Sequence, residues 1–481
     1  MSKLTKIVAT ISDLRCEVDF IQQLYNEGMN VVRMNSAHLK PEGFHKIINN
    51  VRAVSKNIAI LMDTKGPEIR TTAAANDGLS LVMGQKIKLT GNPDLVSTTE
   101  CIAVNYPHFV RDLKVGDHIL IDDGETEMIV DSKDDDYLYC TIQNNGHVGS
   151  RKSVNVPGAR FNLPSLTEKD KGNILLAIEY GLDFIAHSFV RNKEDLMEIQ
   201  EILDAHKSPI KIISKIENQE GVDNIDEIIE HCYGVMVARG DLGIEVPQEK
   251  IPGIQRRLIR KCVTANKPVI VATQMLHTMI KNPRPTRAEI TDIANAIFYR
   301  TDALMLSGET AYGDYPVEAV RTMAKVAEEA EKTKMVENDI PIELKSNSIT
   351  SFLAHACVDA SQKIGTKAII TDTFTGQTAR YLSSYRGTNP VFAICYHERS
   401  TRELALSYGV FPFHQVNNCE TSQRYFLEGL TELLKQGWVN QEDNVCYLSG
   451  SFGCGNGTTF LEINKVGKIF DSRASYSLPN F

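Results

Sequence analysis

The sequence predicts an α/β protein built on a (β/α)8 TIM barrel, with a β-barrel-like lid domain inserted into the barrel and an α/β domain after it. Three observations carry this expectation. Eight short, nearly continuous apolar runs alternate with helix-like segments, as in a parallel sheet covered on both faces. One connection between runs, residues 66–159, is far too long for a loop and has alternating stretches of its own. A fresh set of strand-like runs then begins beyond residue 350.

The eight runs are residues 6–11 (KIVATI), 30–35 (NVVRMN), 58–63 (IAILMD), 184–190 (FIAHSFV), 211–217 (KIISKIE), 234–239 (GVMVAR), 268–273 (PVIVAT) and 303–308 (ALMLSG). Eight such units suit a closed barrel. Between them, Thr286-Arg287-Ala288-Glu289 is a capping-box pattern that opens a helix. Residues 316–334 start with proline and keep helical periodicity, marking the eighth helix. The inserted segment holds QKIKLT and HILIDDGETEMIVD, both of strand type. Residues 337–350 read as a linker, and KAIITDT, PVFAICY and NVCYLSG read as strands of the last domain. The expected division is 1–66 and 160–340 for the barrel, 67–159 for the lid and 341–481 for the C-terminal domain.

The chain has 481 residues, 42% hydrophobic and 23% charged, which is the composition of a globular protein of two or three domains. A net charge of −9 argues against nucleic acid or an anionic membrane as the main partner. The ten cysteines include no Cys-x-x-Cys pair and no zinc spacing, as expected of free thiols in a reducing compartment. No apolar run has the length of a membrane span, and the N-terminal apolar run is too short for a signal peptide. A cytoplasmic location is expected.

The strand ends carry the chemistry. Polar residues recur two apart: Arg33 and Asn35, Asp63 and Lys65, Lys215 and Glu217, Arg239 and Asp241, Ser307 and Glu309. Residues two apart on a strand share a face, and a barrel gathers the C-terminal ends of its strands at one mouth. Ser188 and Thr273 end two more runs there. One such pair would be an ordinary solvated strand terminus; five pairs at one mouth imply a ligand. Arg33, Arg70, Lys215 and Arg239 suit phosphate or carboxylate. Asp63, Glu217 and Asp241 would repel such anions unless a cation bridged them, and two carboxylates plus phosphate oxygens are a usual magnesium arrangement. Gly240 permits close backbone approach, and Asp241-Leu242-Gly243 could open a short helix. Together these point to metal-assisted phosphoryl transfer.

At these residues the sequence resembles the pyruvate kinase family. The matching segments are GMNVVRMN, LMDTKGPEIR, VNVPG, SLTEKD, SKIEN, MVARGDLGIE, VIVATQM, PRPTRAE and LSGETAYGDYPVEAV, in the family's order across the whole barrel. The resemblance implies transfer of the phosphoryl group of phosphoenolpyruvate to ADP, giving pyruvate and ATP, the last step of glycolysis. It implies magnesium (or manganese) on Glu217 and Asp241, charge stabilisation by Lys215, and phosphate binding by Arg33. It places the substrate carboxylate on Gly240, Asp241 and Thr273, with Thr273 and water near the protonation step. Arg70, Lys152, His38 and Asn35 would meet the nucleotide. Asn35, Asp63 and the Thr64 carbonyl would hold potassium, with Glu68 the residue type of potassium-requiring members. A homotetramer is implied.

Three departures from the family pattern stand out. Asn35-Ser36-Ala37-His38-Leu39 replaces Asn-Phe-Ser-His-Gly, so Ala37 stands where a hydroxyl completes the potassium shell. If the strand alternation continued, Ser36 would face away from that shell. Ile11-Ser12-Asp13-Leu14-Arg15 replaces a Gly-Pro-Ala-Ser turn that lies close to the nucleotide. His277 stands where glutamate is common, and is read as a surface or subunit-contact residue.

In the last domain, residues 373–380 (TFTGQTAR) offer Thr373, Thr375, Gly376, Gln377 and Thr378 as a phosphate cradle before a helix. Such turns also cap ordinary helices. This one resembles the family's effector-phosphate loop, and SGSFGCGNGTT resembles the loop that closes over it, implying a phosphorylated allosteric activator. Two other functions fit parts of the pattern. A non-catalytic paralogue binding phosphoenolpyruvate would explain the changed turn and Ala37. A metal-dependent keto-acid lyase on a related barrel would not need the lid.

Overall fold

The computed structural model describes residues 3–333, 348–416, 421–450 and 457–474. Its centre is a closed, fully parallel barrel of eight strands: β1 (Lys6–Thr10), β2 (Val31–Asn35), β3 (Ala59–Asp63), β4 (Phe184–His187), β5 (Lys211–Ile216), β6 (Gly234–Ala238), β7 (Val269–Ala272) and β8 (Ala303–Leu306). They lie in chain order around the ring, each hydrogen-bonded to the next, with β8 closing on β1. These are the eight runs anticipated from the sequence, and both faces are covered.

Alternation divides the strand residues between two cores. One set, including Val32, Met34, Ile60, Met62, Ile185, Ile212 and Val235, packs outward against the helices. The other, Val31, Ala59, Leu61, Phe184, Ala186, Ile213, Met236 and Ile270, packs into the lumen. Arg33, Asp63, Ser188, Lys215 and Glu217 share the parity of the luminal set. The polar residues are therefore the top layer of the barrel's own interior. Its floor is sealed by Ala405 and Leu406 from the C-terminal domain.

The helices start where their caps dictate. Thr286 and Glu289 form the expected capping box at the head of Arg287–Phe298, and Thr167 and Asp170 form another at Glu168–Glu179. The eighth helix runs Pro316–Lys332.

Between β3 and β4 the chain builds the lid. Its main sheet has six strands in the order Val154–Asn155, His118–Ile121, Thr126–Lys133, Leu138–Ile142, Lys86–Thr90, Cys101–Ala103. Gly146–Val148 pairs separately with Leu79–Leu81. Leu89, Phe109, Ile119, Met128 and Val130 belong to a core that is the lid's own.

The C-terminal domain is a five-stranded sheet ordered Val410–His414, Val391–Cys395, Ala368–Thr373, Asn444–Ser449, Phe460–Lys465. The last of these is antiparallel to its neighbour. The two edge strands were not anticipated from the sequence: Val410–His414 is short and contains Pro412, and Phe460–Lys465 alternates with polar residues. The linker read at 337–350 lies outside the described residues up to 347. Buried ion pairs bind this domain to the barrel. Asp183, fully buried just before β4, accepts from Arg402 Nε at 2.7 Å and Arg52 Nη2 at 3.1 Å. Asp302 accepts from Arg386 Nη2 at 2.6 Å. Among the described residues, no helix is long and apolar enough to cross a membrane.

Candidate active site

The site is assembled at the mouth by strand register. Asn35 lies opposite Asp63 across β2 and β3, Asp63 opposite Ala186 across β3 and β4, and Arg33 opposite Thr10 across β2 and β1. Side chains on one face of adjacent strands are neighbours, and Arg33 reaches both Thr10 and Asp63. Arg33 donates to Asp63 Oδ2 from Nε at 2.8 Å and from Nη2, and to Thr10 Oγ1 at 3.2 Å. The Lys215 ammonium spends its three protons on Asp63 Oδ1 (2.9 Å), Glu217 Oε1 (2.9 Å) and Ser188 Oγ (2.7 Å). The second oxygen of Glu217 accepts the Phe189 amide at 2.7 Å.

Burial sets the electrostatics of this cluster. Although burial opposes charge, Lys215 and Arg33 hold the Asp63 carboxyl below the usual carboxylate range. Although burial works against it too, Asp63 and Glu217 hold Lys215 above the ordinary lysine value. Glu217 behaves oppositely: burial pushes it up to about 7 despite Lys215, with Asp241 and Asp63 adding repulsion. Asp241 is likewise raised by burial, with the lid's Asp123 and Asp63 adding to the rise and Lys215 opposing it. Burial leads both rises, and neighbouring carboxylates add to them.

Asp241 sits in the helix Arg239–Glu245 that follows β6 directly. Facing it, Thr273 and Gln274 leave β7 in left-handed conformations, φ 70° and 53°. For a β-branched residue this is strained, and such strain persists only where neighbours impose it. Gly240 N donates to Thr273 Oγ1 at 2.7 Å, Thr273 Oγ1 donates to Ala272 O at 2.6 Å, and Arg239 Nη2 donates to Thr273 O at 2.7 Å.

Not every polar strand end opens onto the mouth. Arg239, counted above with the anion-binding cations, turns away to Asp292 at 2.6 Å. Glu309 is buried and accepts the Ser307 and Leu276 amides, so it braces two loops. His277 is exposed in the short turn His277–Ile280. The nucleotide candidates are tied up locally: Arg70 pairs with Glu68 at 2.8 Å and Lys152 with Asp122 at 2.6 Å, both near the lid. His38 is exposed on the turn after β2.

The chain leaves β2 at Asn35 and turns over residues 36–38, so strand alternation stops there. Asn35 Oδ1 accepts the Ala37 amide at 3.1 Å, and Lys169 Nζ reaches the Ala37 carbonyl at 2.8 Å. Ser36 is nonetheless fully buried, its hydroxyl without a partner, while Ala37 stays half-buried.

Asp123 and Glu245 escaped the sequence reading. Asp123 lies in a lid turn at φ 56°, which brings its charge near Asp241; only the Asp-Asp-Gly turn signal marks it. Glu245 is pushed up to about 7 by burial, and bonds to Asn155 of the lid. Both line a cavity of about 220 Å3 between lid and barrel, together with Ile69, Phe161, Phe189 and Asp241.

In the C-terminal domain, Gly376 takes a left-handed φ of 76° and its amide donates to Thr373 Oγ1 at 3.0 Å. Gln377 opens the helix Gln377–Ser384, and Thr375 O accepts from Arg380 at 2.9 Å. Thr378 Oγ1 lies 2.8 Å from Thr458 Oγ1 of the glycine-rich segment, of which residues 451–456 lie outside the described residues.

Comparison with known proteins identifies the family. Residues 2–320 match the family model "Pyruvate kinase, barrel domain" and residues 351–463 match "Pyruvate kinase, alpha/beta domain". The chain belongs to the pyruvate kinase family. It is 48% identical to the pyruvate kinase of Borreliella burgdorferi, over 97% of this chain and 98% of that protein. It is 42% identical to that of Bacillus licheniformis, over 97% and 81% of the two. The solved structure of a pyruvate kinase from Cryptosporidium parvum superimposes with a TM-score of 0.91 at 35% identity, covering 97% of this chain and 96% of that one. The family's barrel, inserted lid and C-terminal α/β domain are the three parts seen here.

Proposed function

We propose that the protein is an active phosphotransferase that moves the phosphoryl group of phosphoenolpyruvate to ADP, releasing pyruvate and ATP. The observation that carries the reading is the intact set at one mouth: Arg33, Asp63, Lys215 and Glu217 linked by ion pairs, with Asp241 beside them. A retired site is under no pressure to keep four buried charges in mutual contact, since each costs desolvation.

Among the described residues, no three His, Cys, Asp or Glu side chains form a ready-made metal site. Two carboxylates completed by substrate oxygens fit instead. Glu217 and Asp241, both raised by burial with neighbouring carboxylates adding to the rise, have the donor chemistry for magnesium or manganese. When bound there, the divalent ion would neutralise the substrate's phosphate and carboxylate. Asn35 Oδ1, Asp63 and the Thr64 carbonyl offer the few, mostly neutral oxygens that suit potassium.

The chain's own groups do the rest. Lys215 and Arg33 meet the phosphoryl group as its charge spreads in transit. To do so Lys215 exchanges one of its three present acceptors for phosphoryl oxygen. The substrate carboxylate sits against the head of Arg239–Glu245, with Gly240 N now directed at Thr273. Thr273 directs its own proton at Ala272 O, so it orients the water that protonates the enolate instead of giving up that proton. Arg70 and Lys152 trade their carboxylate partners for nucleotide phosphates, and the lid excludes water that would hydrolyse the phosphoryl group. The loop Thr373–Thr378 serves a phosphorylated activator, and the protein works as a homotetramer in the cytoplasm.

A coupled assay with phosphoenolpyruvate, ADP, magnesium and potassium tests the reading. Pyruvate formed in step with ATP is expected. Tight phosphoenolpyruvate binding without turnover would favour the non-catalytic paralogue, and pyruvate released without ADP would favour the lyase.

A further inference from the structure

Ser188 occupies a position that no role above explains. It is 2% exposed, one residue past β4, and its hydroxyl lies between the two proposed cation shells. Its Oγ accepts from Lys215 Nζ at 2.7 Å. Its single proton then has two acceptors in reach: the Thr64 carbonyl at 2.7 Å and Asp63 Oδ1 at 3.3 Å. Both belong to the monovalent-cation set. The backbone reinforces this placement. Ser188 N donates to Thr64 Oγ1 at 3.0 Å, and the next amide, Phe189 N, donates to Glu217 Oε2 at 2.7 Å. Phe189 itself sits at φ 56°, a strained conformation for a bulky residue.

The corner is also pressed against the start of the lid. A Cβ at Gly66 would lie 2.9 Å from the Phe189 ring and 3.1 Å from Ser188 Cβ, and Gly66 itself has φ 71°. The backbone between Thr64 and the lid therefore leaves no slack for Ser188 to drift.

We propose that Ser188 is a positioning residue that transmits occupancy of the monovalent-cation shell to the Lys215 ammonium. The inference rests on the phosphoryl-transfer reading of this site. A cation that takes the Thr64 carbonyl and Asp63 takes the two acceptors between which the Ser188 proton chooses. The hydroxyl reorients, and the lone pair it offers Lys215 moves with it. At the same time Asp63 holds Lys215 less tightly, and the ammonium is released toward the phosphoryl group. Without the hydroxyl, cation binding and lysine placement become independent.

The test uses Ser188→Ala in the full chain, with two readouts. In the pyruvate assay, kcat falls about tenfold or more, the value of one charge-assisted hydrogen bond, while KM for phosphoenolpyruvate stays within about threefold. The potassium concentration for half-activation rises several-fold. In the second readout, melting temperature is followed against potassium chloride without substrates, with choline chloride holding ionic strength constant. Its midpoint shifts to higher potassium by the same factor, independently of turnover. Combined with Lys215→Met, Ser188→Ala costs no further kcat, yet the shift in the melting midpoint persists. Ser188→Cys, which keeps the size and a weak donor, moves both readouts the same way by less.

Unchanged potassium midpoints in Ser188→Ala, or an equal loss of kcat with and without Lys215, overturn the proposal. A wild type that makes no pyruvate overturns the phosphoryl-transfer reading instead, and the melting titration still decides whether Ser188 belongs to a cation shell.

Discussion

The Lys215 ammonium stands 2.9 Å from the Glu217 carboxylate, two residues further along the same luminal face. The same nitrogen is 2.9 Å from Asp63, so one cation serves two buried carboxylates before any substrate arrives. Lys215 is therefore already charged and held at the mouth, one exchanged acceptor away from a phosphoryl oxygen. Lys215→Met should lower kcat by about 100- to 1,000-fold, as for loss of one transition-state donor. KM for phosphoenolpyruvate should change only a few-fold, because Arg33 remains. Steady-state kinetics check this; turnover equal to wild type would remove Lys215 from the chemistry.

Glu217, as the proposed metal ligand, should make metal binding pH-dependent. Its carboxyl is pushed up to about 7 by burial, and a divalent ion binds only the deprotonated form. Below that value protons compete with the metal, so apparent affinity should fall up to about tenfold per pH unit. Above it, affinity should level off. Manganese binding to the substrate-free protein, followed by calorimetry between pH 5.5 and 8.5, reads this slope. Glu217→Gln should bind manganese weakly at every pH, with a flatter profile; a wild-type titration flat across this range would exclude Glu217 as the competing ligand.

Ala37 would leave the proposed monovalent-cation shell one hydroxyl short of the family pattern. In the turn after β2, Ser36 is fully buried with its hydroxyl unpartnered, and Asn35 Oδ1 already accepts the Ala37 amide. Water should complete the shell, and potassium should bind more weakly than in members with serine there. Ala37→Ser should lower the half-activating potassium concentration by about two- to tenfold, the value of one added polar contact. Titration of the rate with potassium chloride decides it. An unchanged constant in Ala37→Ser would mean that position 37 does not face the ion.

The barrel was legible because its strands are apolar on both faces, which no other common architecture needs in eight copies. The luminal charges were legible for the same reason: Arg33, Lys215 and Glu217 interrupt apolar runs at fixed parity. Where a contact depends on distant segments, that signal fails. Arg239 reads like Arg33 in sequence, yet the helix Arg287–Phe298 supplies Asp292 and draws it out of the mouth. Glu309 reads like Glu217 but finds two backbone amides. Asp123 comes from the lid, whose placement over the barrel no local pattern encodes. The edge strand Val410–His414 carries a proline, which a sheet tolerates only at an edge.

Lys152 marks how the lid should respond to nucleotide. Its ammonium is held 2.6 Å from Asp122, and Arg70 is held 2.8 Å from Glu68, so each cation is paired with an acid of its own neighbourhood. These pairs are partly exposed and worth little by themselves. A nucleotide phosphate brings more charge and more acceptor oxygens than either carboxylate, so the exchange favours the nucleotide. Lys152→Ala should therefore raise KM for ADP about five- to tenfold, the cost of one charge-assisted contact, while KM for phosphoenolpyruvate holds. Asp122→Asn frees Lys152 from its competitor and should lower KM for ADP slightly. Added salt should weaken ADP binding less in Lys152→Ala than in wild type, because one screened attraction is gone. Initial rates against ADP at two ionic strengths separate the outcomes. A rise in KM for phosphoenolpyruvate instead would place Lys152 on the other substrate.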